Sequence, residues 1–101
     1  MKKDVYSAAF LIWINHYGRT PQGVIISKIH AECPLISQEF AWGLLNEFQE
    51  IVDVAYGICA EVAIRGGADA ALLILKNKMP QLTDAALTVL WAHAKWCVSR
   101  G

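Results

Sequence analysis

Four side chains of the kinds that bind zinc occur in two pairs. His30 and Cys33 are three residues apart, and His93 and Cys97 are four residues apart. Both spacings place the two side chains of a pair on one face of a helix. Imidazole nitrogens and thiolate sulfurs are the ligands of structural zinc sites, but neither pair has the short spacing of a zinc knuckle. We therefore expect no metal and no other cofactor, and keep these four residues as a candidate zinc set.

Other local patterns that carry chemistry are missing from the sequence. It contains no G-x-S-x-G, H-E-x-x-H, P-loop or G-x-G-x-x-G segment, each of which would position a nucleophile, a metal or a phosphate. Glu47, Glu50 and Asp53 could hold a divalent cation only if a second acidic helix faced them. The sequence therefore predicts a protein that is not an enzyme.

The charged residues between Gln38 and Ile64 are all acidic. At about 100° per residue they fall, with two glycines, in one helical arc about 120° wide. Apolar side chains fill the opposite face, and this pattern predicts one long amphipathic helix over residues 37–65. Its outer face carries what we name the acidic stripe: Glu39, Glu47, Glu50, Asp53 and Glu61. Its predicted inner face consists of Phe40, Leu44, Phe48, Ile51, Val52, Ala55, Cys59 and Val62.

Four further helices are predicted around this one, with no strand. Gly18 and Gly66-Gly67 are typical residues after a helix end, while Thr20, Ser37 and Thr83 are favoured N-caps. The fold class is therefore all-α: a compact five-helix bundle around one long central amphipathic helix, forming a single domain over residues 1–101. The predicted helices span about 4–17, 21–33, 37–65, 68–78 and 83–99.

The first helix carries aromatic residues at i, i+4, i+7 and i+11, and it is apolar on nearly all sides. Such a helix is either central in the core or covered by a second chain. Because a bundle of 101 residues has little room for an enclosed helix, we predict a homodimer interface. The outward residues of the fifth helix would extend it. The predicted interface residues are Tyr6, Phe10, Trp13, Tyr17, Val89 and Trp96.

Composition limits the compartment and the partner. Nine acidic residues balance nine basic ones, so no global field attracts nucleic acid or an anionic membrane. The apolar run from Ala8 to Ile14 is too short for a membrane span and is followed by no signal-peptide cleavage site. Three cysteines have no disulfide-framework spacing, which favours free thiols in the cytoplasm.

These observations favour a protein-binding accessory module, an adaptor or an inhibitor or immunity-type protein, whose acidic stripe meets a basic protein surface. A nucleic-acid-handling protein is one such partner. The first alternative is a helical protein that binds a small apolar ligand beside the aromatic residues. The second is a helix-turn-helix DNA-binding regulator, because the first three helices have the required spacing. Its recognition element, Ser37 to Phe48, would carry two acids and no Lys or Arg, which DNA would repel.

Overall fold

The described part of the chain folds into five helices. The computed structural model describes the backbone of residues 1–65 and 68–100 and the side chains of residues 1–62 and 70–98. Within that part of the chain there is no strand, and the predicted all-α fold is confirmed. Gly66-Gly67, the predicted stop of the long helix, lies outside the described residues. The helices are α1 (Lys3–His16), α2 (Gln22–Glu32), α3 (Gln38–Arg65), α4 (Ala68–Lys78) and α5 (Asp84–Arg100).

Three predicted helix boundaries, at Gly18, Ser37 and Thr83, are confirmed by the local geometry. Gly18 follows α1 with a φ of 74°, a conformation that glycine adopts without strain. The hydroxyl of Ser37 accepts the N–H of Phe40 at 3.1 Å, and the hydroxyl of Thr83 accepts the N–H of Ala86 at 3.3 Å. These are N-cap bonds that satisfy otherwise unpaired donors.

The predicted N-cap of α2 is wrong. Pro21 has φ −57° and ψ 141°, an extended conformation, and it takes the N-cap position with no side-chain cap. The helix therefore starts one residue later than predicted. The hydroxyl of Thr20 lies 3.4 Å from Nδ1 of His16 instead, on the turn that links α1 to α2.

The aromatic residues of α1 lie in the core of the single chain. The ring of Phe48 on α3 is 5.3 Å from that of Tyr6, 5.4 Å from that of Phe10 and 5.7 Å from that of Trp13, centroid to centroid. All four side chains are buried. These three residues of α1 are therefore core residues with little surface to offer a second copy, and their prediction as dimer-interface residues is wrong. The 14-residue α1 is short enough for α2, α3 and α5 together to enclose it.

One residue of the predicted inner face of α3 is also misplaced. Phe40 is 53 % exposed, whereas its neighbour Ala41 is fully buried. Adjacent residues differ by about 100° around a helix, so only one of the two can face the core in the first turn. The buried face of α3 consists of Ala41, Leu44, Leu45, Phe48, Ile51, Val52, Ala55 and Cys59.

A buried hydroxyl joins α1 to the start of α5. Ser7 is 2 % exposed, and its Oγ accepts the backbone N–H of Thr83 at 2.9 Å. Within the described part of the chain, no buried side-chain nitrogen or oxygen lacks a hydrogen-bond partner. In the same part, none of the helices combines the length and the apolar character that crossing a membrane requires.

Candidate partner-binding surface

All five carboxylates of the acidic stripe lie on the surface of α3. From Glu39 to Glu61 the stripe covers 22 helical steps, or about 33 Å along the helix axis. Two of its members have side-chain hydrogen bonds. The Tyr6 hydroxyl donates a long hydrogen bond of 3.4 Å to Oε1 of Glu47, and the Gln49 amide donates one of 3.0 Å to Oδ1 of Asp53.

In the part of the chain whose side chains are described, no basic residue forms an ion pair with the stripe. Among the residues that the structure describes, the one ion pair is Lys76 with Asp84, at 3.5 Å between two exposed side chains. Neither residue belongs to the stripe. The negative charge of α3 therefore remains open to solvent, where opposite charges of a partner would steer association and fix its register.

A groove of about 340 Å³ runs along one flank of the stripe, between α1, α2 and α3. Its walls combine two indole rings with three neutral amides, and no charged side chain lines it. Trp42 is 48 % exposed, whereas Trp13 is buried. The lining residues are Trp13, Gln22, Trp42, Gly43, Leu45, Asn46 and Gln49.

Two further depressions border this region. One, of about 520 Å³, adjoins the first groove through Trp13 and Gln22 and includes Arg19 on the turn before α2. The other, of about 200 Å³, lies on the opposite flank of the stripe and includes Glu47, Glu50 and Lys78. Both therefore carry a positive charge that the 340 Å³ groove does not.

Tyr6 lies at the floor of the third depression and does not act as an acid there. Burial of its ring, followed by the nearby charge of Glu47, raises the pKa of Tyr6 to about 12. The phenol therefore stays protonated at neutral pH and can donate a hydrogen bond to a carboxylate. This long hydrogen bond links one exposed stripe residue to a buried ring of the core.

The outer face of α5 presents a second surface. Ala85, Val89, Ala92 and Trp96 recur at i, i+4, i+7 and i+11, and all four are exposed. This spacing puts them in one line along the helix. Of the predicted interface residues, Val89 and Trp96 are 36 % and 57 % exposed, and Tyr17 is 37 % exposed. Tyr17 packs edge-on against the ring of His93 at 5.8 Å.

The candidate zinc set is not assembled. His30 uses Nδ1 in a 2.7 Å contact with the carbonyl of Ile36, which ties the α2–α3 turn together. Cys33 is buried, and burial followed by the charge of Glu32 raises the pKa of its thiol. No group of three or more His, Cys, Asp or Glu side chains within the described residues could hold a metal ion.

His93 and Cys97 remain a local pair on α5. Their Nε2 and Sγ atoms are 3.7 Å apart, and burial lowers the pKa of His93. The imidazole is therefore neutral at physiological pH and can share a hydrogen bond with the thiol. None of the three grooves described above is lined by a histidine or a cysteine.

The 340 Å³ groove, which we name the tryptophan–amide groove, was not predicted from the sequence. Trp42, Asn46 and Gln49 recur at i, i+4 and i+7, and this spacing puts them on one flank of a helix, which is the signal that could have indicated it. The opposite wall comes from Gln22 and Trp13, whose approach depends on tertiary packing. In comparisons with known proteins, no protein-family model, no curated protein and no solved structure matches the chain.

Proposed function

We propose that this chain is a non-enzymatic protein-binding accessory module, an adaptor or an inhibitor, that acts as a homodimer. In this proposal the outer face of α5 joins two copies, and the acidic stripe of α3 binds a protein with a basic surface. Such a partner could be a nucleic-acid-handling protein whose positive groove the stripe occupies.

One observation carries the proposal. The acidic stripe extends over about 33 Å, all of its carboxylates are exposed, and no basic side chain of the described chain pairs with it. Charges on a single helix keep a fixed spacing, so they supply steering and register to an encounter. The pairing of such a stripe with DNA would be repulsive, which supports a protein partner over nucleic acid.

The dimer part of the proposal rests on the composition of the α5 face. Val89 and Trp96 are large apolar residues on a surface that also offers the small side chains of Ala85 and Ala92. A two-fold interface uses the same patch of both copies, so the large residues of one copy can pack against the small residues of the other. Tryptophan is a common anchor of protein interfaces. Three free cysteines support a reducing compartment such as the cytoplasm.

The alternatives have less support. A small apolar ligand would need an apolar cavity, but the aromatic residues of α1 are packed against Phe48. In a helix-turn-helix regulator the exposed start of α3 would face DNA with Glu39 and Glu47, which the phosphates would repel.

The experiment that tests this function is affinity capture with charge-reversed variants. Glu50→Lys/Asp53→Lys reverses two stripe residues, and Asp4→Lys/Glu32→Lys makes the same change in net charge at exposed acids outside the stripe. Quantitative mass spectrometry of captured proteins should show basic partners that the first variant loses and the second retains. Equal capture by all three proteins would refute the role of the stripe, and specific DNA bound to the wild type would favour the regulator.

A further inference from the structure

We propose that the tryptophan–amide groove, formed by Trp13, Gln22, Trp42, Gly43, Leu45, Asn46 and Gln49, binds an arginine side chain of the partner. This inference rests on the proposed function and names the chemistry that its acidic face recognises. The evidence for it is the groove and its lining residues, and the negative charge of the adjacent acidic stripe adds to that evidence.

The size of the groove selects a single side chain. Its volume is about 340 Å³, which is near the lower end of the range of about 300–1,000 Å³ for ligand pockets. A groove of this size, open to solvent along α3, fits one long side chain that projects from a partner surface. Gly43 lies in its wall, and a methyl group built there would meet no atom within 4 Å, so the partner backbone can approach closely.

The lining atoms favour a guanidinium over an ammonium group. Half of the surface of Trp42 is exposed, and guanidinium groups stack on indole faces. The amide oxygens of Gln22, Asn46 and Gln49 are acceptors, and the planar guanidinium offers five N–H donors in a fixed arrangement. A lysine ammonium is a more strongly hydrated point charge, with less to gain from a flat ring.

Charge complementarity fixes the sign of the occupant. No Lys or Arg lines this groove, whereas Arg19 and Lys78 line the two neighbouring depressions. Asp53 does not line the groove, but it accepts a hydrogen bond of 3.0 Å from Gln49, which does. Glu39 and Glu50 lie one turn away on α3, three residues before Trp42 and four after Asn46, and are exposed. A cation placed against Trp42 therefore has Glu39 one turn away, whereas Glu50 and Asp53 lie about 12 and 17 Å further along the helix axis. It meets no repelling charge in the groove wall.

Binding of two labelled peptides of equal charge, hexaarginine and hexalysine, tests the inference by fluorescence anisotropy at low ionic strength, where screening is weak. The wild type should bind hexaarginine more tightly. Trp42→Ala should weaken hexaarginine binding roughly 3- to 30-fold, the range for loss of a cation–π contact, and should change hexalysine binding much less. Phe40→Ala is the matched control, because Phe40 is an equally exposed aromatic residue of α3 outside the groove.

The remaining outcomes separate this inference from the function on which it rests. Equal affinity for the two peptides, or equal losses in Trp42→Ala, would overturn the arginine groove. If Glu50→Lys/Asp53→Lys then abolished binding of both peptides, the acidic stripe would keep its proposed role. Failure of the wild type to bind either peptide would overturn both proposals. A second variant, Gln22→Ala/Asn46→Ala, should reduce the preference for hexaarginine through loss of two acceptors.

Discussion

The hydroxyl of Ser7 on α1 accepts the backbone N–H of Thr83, 76 residues further along the chain, at 2.9 Å. Thr83 in turn caps the first turn of α5 through its own hydroxyl. A buried side chain of one helix thus fixes the N-terminus of another. This contact holds the start of α5 against α1, beneath the surface where the proposed dimer forms.

Replacing Ser7 by alanine should lower the free energy of unfolding by about 1–3 kcal/mol, because the N–H of Thr83 would lose its acceptor in a poorly hydrated site. Urea denaturation followed by circular dichroism measures this difference. Ser27→Ala is the control. Ser27 is exposed and bonds only to the carbonyl of Gly23 in its own helix, so we expect a change within about 0.5 kcal/mol. Equal effects of the two substitutions would contradict the structural role of Ser7.

The raised pKa of Tyr6 predicts a loss of stability in alkaline solution. The phenol loses its proton near pH 10 when unfolded and near pH 12 when folded, because burial and Glu47 oppose its ionisation. Between these values the unfolded state binds fewer protons, so the free energy of unfolding decreases as the pH rises. The full loss is about 2–3 kcal/mol. Denaturation at a series of pH values should show this slope in the wild type and a shallower one in Tyr6→Phe; identical slopes would exclude Tyr6 as its source.

Two glycine substitutions should change the stability of the fold in opposite directions. A methyl group built at Gly57, in the middle of α3, meets no atom within 4 Å, so Gly57→Ala should stabilise the fold by about 0.5–1 kcal/mol. Gly18 has a φ of 74°, and Gly18→Ala should destabilise it by about 1 kcal/mol or more. Thermal unfolding of the two variants measures both shifts. Destabilisation by Gly57→Ala would mean that a second chain approaches this position too closely to leave room for a side chain.

Two tryptophan substitutions separate the core from the proposed dimer interface. Trp96→Glu changes an exposed residue of α5, and should give folded monomers with a mass near 11.2 kDa by light scattering, where the wild type gives twice that mass. Trp13→Glu places a charge beside Phe48 in the core and should unfold the chain, at a cost of about 4 kcal/mol or more. A monomeric wild type across micromolar concentrations would end the dimer proposal.

Sequence periodicity predicted the elements of this fold well because helix formation is governed by local signals. The long apolar stripe of α3, the caps at Ser37 and Thr83 and the turn at Gly18 all act within a few residues. The wrong prediction that the aromatic residues of α1 form a dimer interface has a different cause. Periodicity shows that Tyr6, Phe10 and Trp13 are apolar neighbours on one helix, but it does not show that Phe48 covers them.

The candidate site likewise has one part that the sequence predicted and another part that it did not. The exposure of the acidic stripe follows from its position opposite the core face of one helix, so the sequence was sufficient. The tryptophan–amide groove needs walls from three helices, and the distance between Gln22 and Asn46 is set only when α2 packs on α3. The zinc set failed for this reason as well, since its two pairs lie on helices that the fold does not bring together at those residues.

The unbroken length of α3 limits which insertions its sequence can accept. A single residue inserted between Asp53 and Gly57 would turn the rest of the helix by about 100° and advance it by about 1.5 Å. Glu61 would rotate into the core arc, and Cys59 would rotate out of it. An insertion of seven residues, about two full turns, would return both faces to within about 20° of their original directions. Individual charges of the stripe can be exchanged one at a time, whereas the length of the helix that carries them can change only in large steps.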